Sequence, residues 1–153
     1  MDNDVSYHHG NRVKVIPPSN IYKCVLHDDV FVGPFCEIQE GVIIGERTRV
    51  QSHSFICTGV TIGPDCFIGH CVMFCNDRLV DDNRKPCVHR DKKDFLTTHV
   101  AERVLIGNNA TILPGVSLCT GTIIGAGSVV TKSTTVPGTY AGNPAQLLRA
   151  QTP

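Results

Sequence analysis

From Leu26 onward every sixth residue is apolar: Leu26, Val32, Ile38, Ile44, Val50, Ile56, Ile62, Ile68 and Phe74. The series lapses at Val80, in a charged run, and a second one takes Val100, Ile106, Ile112, Leu118, Ile124, Val130 and Val136. In a chain that is 41% apolar, so many consecutive hits would arise by chance on the order of once in a million trials, so the period is a true internal repeat. Six suits neither an amphipathic helix, with its period of about 3.6, nor a half-buried strand, with its period of 2. It suits a coil of three short strands, in which each hexad supplies one large inward residue and then turns a corner.

Two further columns agree with that reading. The residue after the inward one is often glycine (Gly33, Gly45, Gly63, Gly69, Gly107, Gly125), as a corner with little room for a Cβ requires. Four places after the inward residue comes a compact side chain, Val42, Thr48, Ser54, Cys66, Ala110 or Ser128, fit to fill the remaining core. Three hexads make one coil, and stacked at about 4.8 Å the repeats give five to six coils, a prism roughly 25 Å tall. The expected fold class is all-β.

Phe74 and Val100 are not separated by a multiple of six, so residues 75–99 are read as an insertion; it holds 11 of the 28 charged residues. Loops of this length in a compact domain are usually functional or disordered. Because Cys75-Asn76-Asp77-Arg78 leaves directly from a coil, a functional role is favoured at its start. Residues 1–19 read as a polar lead-in, with Pro17-Pro18 extended, and 20–153 as one β-helix domain. At the far end, Asn143 as N-cap and Pro144 as first residue predict a short helix over residues 143–150 that covers the open end of the coil.

Charge narrows the partners. Lys+Arg and Asp+Glu are equal at 14 each, which favours neither nucleic acid nor an anionic membrane. No apolar run reaches the ~20 residues of a membrane span, and the polar start lacks a signal-peptide profile, so a cytoplasmic location is expected. The eight cysteines show no C-x-x-C pairing; Cys57 and Cys75, one coil apart, should stack one above the other as free thiols in a reducing compartment. The adjacent His8-His9 pair reads as solvated surface.

The register from about Asn20 to Arg149 resembles the hexapeptide-repeat acyltransferases, and the block Ile123-Ile124-Gly125-Ala126-Gly127-Ser128-Val129-Val130-Thr131-Lys132, followed by Tyr140-Ala141-Gly142-Asn143-Pro144-Ala145, resembles that family's closing signature. The resemblance implies a left-handed parallel β-helix, a homotrimer, and acetyl-CoA lying in the groove between neighbouring prisms. A narrower likeness runs through Asn20-Ile21-Tyr22, Gly33-Pro34-Phe35, Gln51 to Cys57 and Phe67 to Asp77. These stretches resemble the branch that N-acetylates UDP- or dTDP-linked amino sugars for surface polysaccharide and glycan synthesis. The chain departs from the branch at Thr58, where Glu is common, and at Arg78-Leu79-Val80-Asp81, where a Pro-Arg usually follows the Asn-Asp pair.

Acetyl transfer from a thioester to an amine needs an unprotonated amine, a destination for its proton, and donors aimed at the developing oxyanion. Asn76 is the leading candidate to orient the amine, although Asn76-Asp77 could equally turn the chain into the loop. Asp77 could take the proton or hold a sugar hydroxyl. His53, expected outward one coil below Cys71, could bind substrate or act as a base, or serve a subunit contact; His70 is a weaker candidate. For acetyl-CoA, Ala110, Gly125 and Ala126 would let pantetheine approach the backbone, and Lys132 and Arg149 could meet its phosphates. No metal is expected, because a carbonic-anhydrase-like site needs three convergent histidines and none of the coil histidines share a column. The nearest rival is an O-acetyltransferase using His89 or His99 as base; a non-catalytic prism module would bind no acetyl-CoA.

Overall fold

The computed structural model describes residues 6–80, 83 and 94–151. The hexads form the expected parallel β-helix: strands of two or three residues, one per hexad, stack into three parallel sheets, the faces of a prism. Face A carries His8–His9, Val25–Leu26, Ile43–Ile44, Val60–Ile62, Thr98–Val100 and Ser117–Leu118. Face B carries Lys14–Val15, Phe31–Val32, Arg49–Val50, Phe67–Ile68, Leu105–Ile106 and Ile123–Ile124, then Gly138–Gly142 and Ala145–Ala150. Face C carries Asn20–Ile21, Glu37–Ile38, Phe55–Ile56, Met73–Phe74, Thr111–Ile112 and Val129–Val130. That is six full coils and the start of a seventh, slightly more than the five to six expected.

The extra coil lies at the start, with its first two strands within residues 1–19, the stretch read as a lead-in, and its third at Asn20–Ile21. His9 pairs with Leu26, Val15 with Val32 and Ile21 with Ile38, each one place short of the spacing between later coils. The step from Ile21 to Leu26 is the short one, so a search at fixed period six loses the phase there. The insertion is equally clean. Val60 pairs with Thr98 and Ile62 with Val100, so the added chain is confined to one corner and the ladder resumes in register beyond it.

The inward column forms one continuous core from Ile21 to Val130. The compact column beside it is buried too, and most of its hydroxyls are hydrogen-bonded, as buried polar groups usually are, with Thr98 Oγ1 the exception among the described residues. Thr48 Oγ1 donates to the Gly63 carbonyl at 2.8 Å and accepts the Cys66 N–H at 3.0 Å, while Ser54 repeats the pattern with Gly69 and Val72. The corner glycines are set by close approach between coils: a Cβ on Gly45 would lie 2.5 Å from the Gly63 carbonyl carbon. The left-handed backbone falls two residues later, at Asp29, Arg47, His53, Asp65, Cys71 and Asn109 among others.

On the edge between faces A and B these left-handed residues form a column of alternating charge, Arg12, Asp29, Arg47, Asp65 and Arg103. Arg12 clasps Asp29 with both carboxylate oxygens at 2.6 Å, and Arg47 clasps Asp65 at 2.7 and 2.9 Å. These hydrogen bonds, with the charge of the same arginines, hold Asp29 and Asp65 below their ordinary carboxylate range. A depressed native pKa stabilises the fold above the unfolded value of about 3.9, and that share is lost as pH falls through the native pKa. The melting temperature should therefore fall on acidification below about pH 4. Arg47→Asn, which tolerates the left-handed backbone, should flatten that fall, as a pH series of thermal melts would show.

The expected C-terminal helix is not formed. Residues 145–150 make a strand that runs antiparallel to Gly138–Gly142 and closes face B, with Gly138 opposite Ala150 and Gly142 opposite Ala145. The last coil leaves a row of unpaired backbone groups, and an antiparallel strand satisfies them where a helix would not. No helix among the described residues is long and apolar enough to cross a membrane.

Candidate active site

The candidate side chains stand on the prism edges, because an edge is where the hexad turns and a side chain clears the sheet. The edge between faces B and C carries two columns. Pro34, Ser52, His70, Asn108 and Ala126 form one, and Phe35, His53, Cys71, Asn109 and Gly127 the other. They are tied coil to coil by backbone bonds: His53 N–H to Pro34 O at 3.2 Å, Cys71 N–H to Ser52 O at 3.0 Å, Asn109 N–H to His70 O at 2.8 Å and Gly127 N–H to Asn108 O at 2.8 Å. His53 thus lies outward one coil below Cys71, as its spacing predicts. Its ring stacks on Phe35 with centroids 4.9 Å apart and planes 29° from parallel.

His70 is anchored more firmly. Its Nδ1 lies 2.8 Å from Ser52 Oγ, and its backbone N–H donates to Asn108 Oδ1 at 2.9 Å. An imidazole fixed through Nδ1 presents Nε2 outward, the arrangement that suits proton transfer. Ser52 and Phe35 were not singled out from the sequence, although both pairs, 52 with 70 and 35 with 53, show the spacing of one coil.

Asn76 lies on the edge between faces C and A, where the insertion leaves. Its Nδ2 donates to the Thr58 carbonyl one coil below at 2.7 Å, and its own carbonyl accepts the Leu96 N–H at 2.9 Å where the insertion returns. Thr58 is held in turn, its N–H donating to Gln39 Oε1 at 3.2 Å. The amide is thereby oriented, and among the described residues Oδ1 is the atom left to accept from an amine. Asp77 follows, exposed. Within one chain Asn76 and His53 lie on different edges and are not brought together.

The residues expected around acetyl-CoA are also distributed. Gly125 and Ala126 top the B–C edge, with Gly125 against Ala141. Ala110 faces the core, fully buried, so only its backbone is on offer. Lys132 is exposed on the C–A edge of the last full coil. Arg149 lies on the terminal strand of face B, where it lines a cleft of about 420 Å³ with Ile123, Thr139, Ala150 and Gln151. His99 points outward from face A, and His89 lies outside the described residues.

The described cysteines are free thiols. Burial, with a smaller contribution from Cys75, pushes the Cys57 thiol up to about 12, and burial pushes Cys24 up to about 11. Both are neutral near pH 7 and are core packing rather than nucleophiles. Among the described residues no group of three His, Cys, Asp or Glu side chains could hold a metal ion.

Comparison with known proteins agrees with this architecture. The bacterial transferase hexapeptide family (six repeats) matches residues 23–58 and 97–132, one block on each side of the insertion. The bifunctional protein GlmU of Thermotoga petrophila is 32% identical over 140 residues, covering 80% of this chain and 28% of that protein. The chain therefore spans under a third of the length of the first curated relatives it matches. A probable macrolide acetyltransferase of Lysinibacillus sphaericus is 29% identical over 138 residues, 86% of this chain and 69% of that one. Among solved structures, a point variant of AntD, an N-acyltransferase from Bacillus cereus in complex with dTDP-4-amino-4,6-dideoxyglucose and coenzyme A, superposes with a TM-score of 0.80. It is 18% identical and covers 95% of this chain and 84% of its own.

Proposed function

We propose that this chain, whose repeats match the bacterial transferase hexapeptide family on both sides of the insertion, is a hexapeptide-repeat acyltransferase that transfers an acetyl group from acetyl-CoA to the amine of a UDP- or dTDP-linked amino sugar. The observation that carries this reading is the Asn76 amide, fixed by the Thr58 carbonyl at the mouth of the insertion. An acceptor held there can align an amine for attack on a thioester without itself taking the proton. The AntD complex supports the same substrate class, since that protein binds a dTDP-linked amino sugar together with coenzyme A. Pantetheine would run along the small residues Gly125 and Ala126, and Lys132 and Arg149 would meet the phosphates. His53 and Asp77 are the groups proposed to bind the sugar or receive the proton.

Asn76 and the Gly125-Ala126 pair lie on the two edges that bound face C, so they can meet only between copies of the chain. We infer a homotrimer in which face C of each prism packs from the Phe55 coil upward, which brings the C–A edge of one copy to the B–C edge of the next and leaves the lowest strands of the face, Asn20–Ile21 and Glu37–Ile38, outside the contact. Face C offers an apolar outer row for that contact, with Phe55, Met73 and Val129 on successive or near-successive coils and Met73 42% exposed. Sedimentation should give three times 16.6 kDa; a stable monomer at micromolar concentration would sink the shared site.

The deciding experiment is incubation with acetyl-CoA and a panel of UDP- and dTDP-linked amino sugars, read by mass spectrometry for the gain of one acetyl group. A hydroxyl acceptor is the second reading, favoured by the Ser52-anchored imidazole of His70, which suits deprotonation of an alcohol. Matched sugars carrying hydroxyl in place of the amine belong in the same panel. Acetylation of those alone would replace the amine reading.

A further inference from the structure

At the lower end of the B–C edge a cleft of about 460 Å³ opens between the first two coils, lined by Pro18, Ser19, Asn20, Phe35, Cys36 and Glu37. None of these residues takes part in the acetyl transfer described above. Phe35 is the feature that needs a reason. It is 56% exposed and holds a left-handed backbone at φ 59°, a conformation uncommon for a bulky residue. One face of its ring is covered by His53. A rigidly backed aromatic ring at the wall of a cleft is a platform on which a second planar ring can stack.

The polar groups beside it are suited to reading such a ring. Asn20 and Glu37 sit opposite one another on neighbouring strands of face C, their side chains on its outer surface. Glu37 Oε1 accepts from Gln39 Nε2 at 2.9 Å, which orients the carboxylate. The Ser19 hydroxyl is engaged within the chain, 3.1 Å from the carbonyls of Ile16 and Gly33 and accepting the Cys36 N–H at 3.2 Å. Asn20 and Glu37 are therefore the groups the cleft turns toward a ligand.

We propose that this cleft holds the uracil or thymine base of the nucleoside-diphosphate sugar, an inference that rests on the nucleotide-sugar reading above. The base stacks on Phe35, its imide N–H donates to Glu37, and a flanking ring carbonyl accepts from the Asn20 amide. An ionised carboxylate can only accept, so it selects a ring that carries an imide N–H. Cytosine presents a lone pair at that position and meets Glu37 acceptor to acceptor, which leaves both unpaired. From Phe35 the edge rises through His53 to His70, two coils or about 10 Å higher. That is the path along which the diphosphate leads to the sugar, at the level where the insertion leaves the coil.

Calorimetric titration of the full chain with UDP, dTDP and CDP tests the assignment. UDP or dTDP should bind saturably, with CDP at least about tenfold weaker. Phe35→Ala should weaken the pyrimidine nucleotide about tenfold or more. Glu37→Gln should weaken it as well and narrow the gap to CDP. Acetyl-CoA affinity and melting temperature should hold in both variants, and Phe35→Leu, which keeps bulk without the π face, should behave like Phe35→Ala. Absence of saturable UDP and dTDP binding, equal binding of CDP, or wild-type affinity in Phe35→Ala would each overturn the cleft assignment. Intact, Phe35-dependent binding without acetyl transfer to any amino sugar would instead sink the acetyltransferase reading and leave the cleft standing.

Discussion

Asn76→Ala should lower kcat/KM for the amino sugar by about 100-fold or more, because an amide that aligns the amine with the thioester acts on the transition state. The same change removes the 2.7 Å bond to the Thr58 carbonyl, and a single hydrogen bond of this kind contributes about 1 kcal/mol to stability. The melting temperature should accordingly fall by a few degrees, since about 1 kcal/mol moves a domain of this size by roughly 2–4 °C. Assayed well below that temperature the variant is still folded, so a hundredfold loss cannot come from unfolding. Acetyl-CoA affinity should be unchanged, because the small residues proposed for it lie on later coils. If Asn76 only closes the insertion, activity will track the folded fraction, and near wild-type turnover in the variant would refute its alignment of the amine.

The second large effect is on stability. Ile62 is 1% exposed and sits in the inward column between Ile44 and Val100 of the neighbouring coils. Ile62→Asp removes a buried aliphatic group and puts an unpaired carboxylate in its place, a change expected to cost several kcal/mol. The melting temperature should drop by about 10 °C or more. Ile43 supplies the control, since it lies one coil below and one residue off the inward column, 39% exposed on the outside of face A. Ile43→Asp makes the same chemical change on the other side of the sheet and should shift the melt by no more than about 2–3 °C. Circular dichroism melts of the two variants decide the matter, and equal melts would show the inward register to be wrong.

The coil was legible because one geometric requirement, a large inward residue per side of the prism, leaves a mark at every hexad. The mark fails where the geometry is met with a different count. Val15 and Ile21 belong to the same column, but the first coil is one residue short, which puts them out of step with Leu26. The end of the chain misled for another reason. Asn143-Pro144 has the local chemistry of a helix start, yet a helix of about six residues is marginal on its own, and the open edge of face B offers a full row of backbone partners. Edge side chains were legible singly but not as pairs: reading positions one coil apart places Ser52 under His70 and Phe35 under His53. Which edges would meet in the proposed trimer depends on the other chains, and nothing in one chain's period encodes it.

The insertion that parts Val60 from its partner Thr98 also bears on how the chain reaches its fold. Elsewhere each strand finds its partner a single coil's length along the chain, so contacts are of nearly uniform, short range, and assembly can begin at any coil and propagate to its neighbour. The one longer step is the one across the insertion, made together by Val60–Ile62 with Thr98–Val100, Phe67–Ile68 with Leu105–Ile106 and Met73–Phe74 with Thr111–Ile112, and it joins a block of the first four coils to a block of the last ones. It is roughly double the others, and doubling the length of a closing loop costs only about 0.6 kcal/mol. This joint is therefore a small obstacle to propagation. The corner at Asn76 can thus change in length and composition, and with them the groups it presents, while the zipping of the two blocks proceeds almost undisturbed.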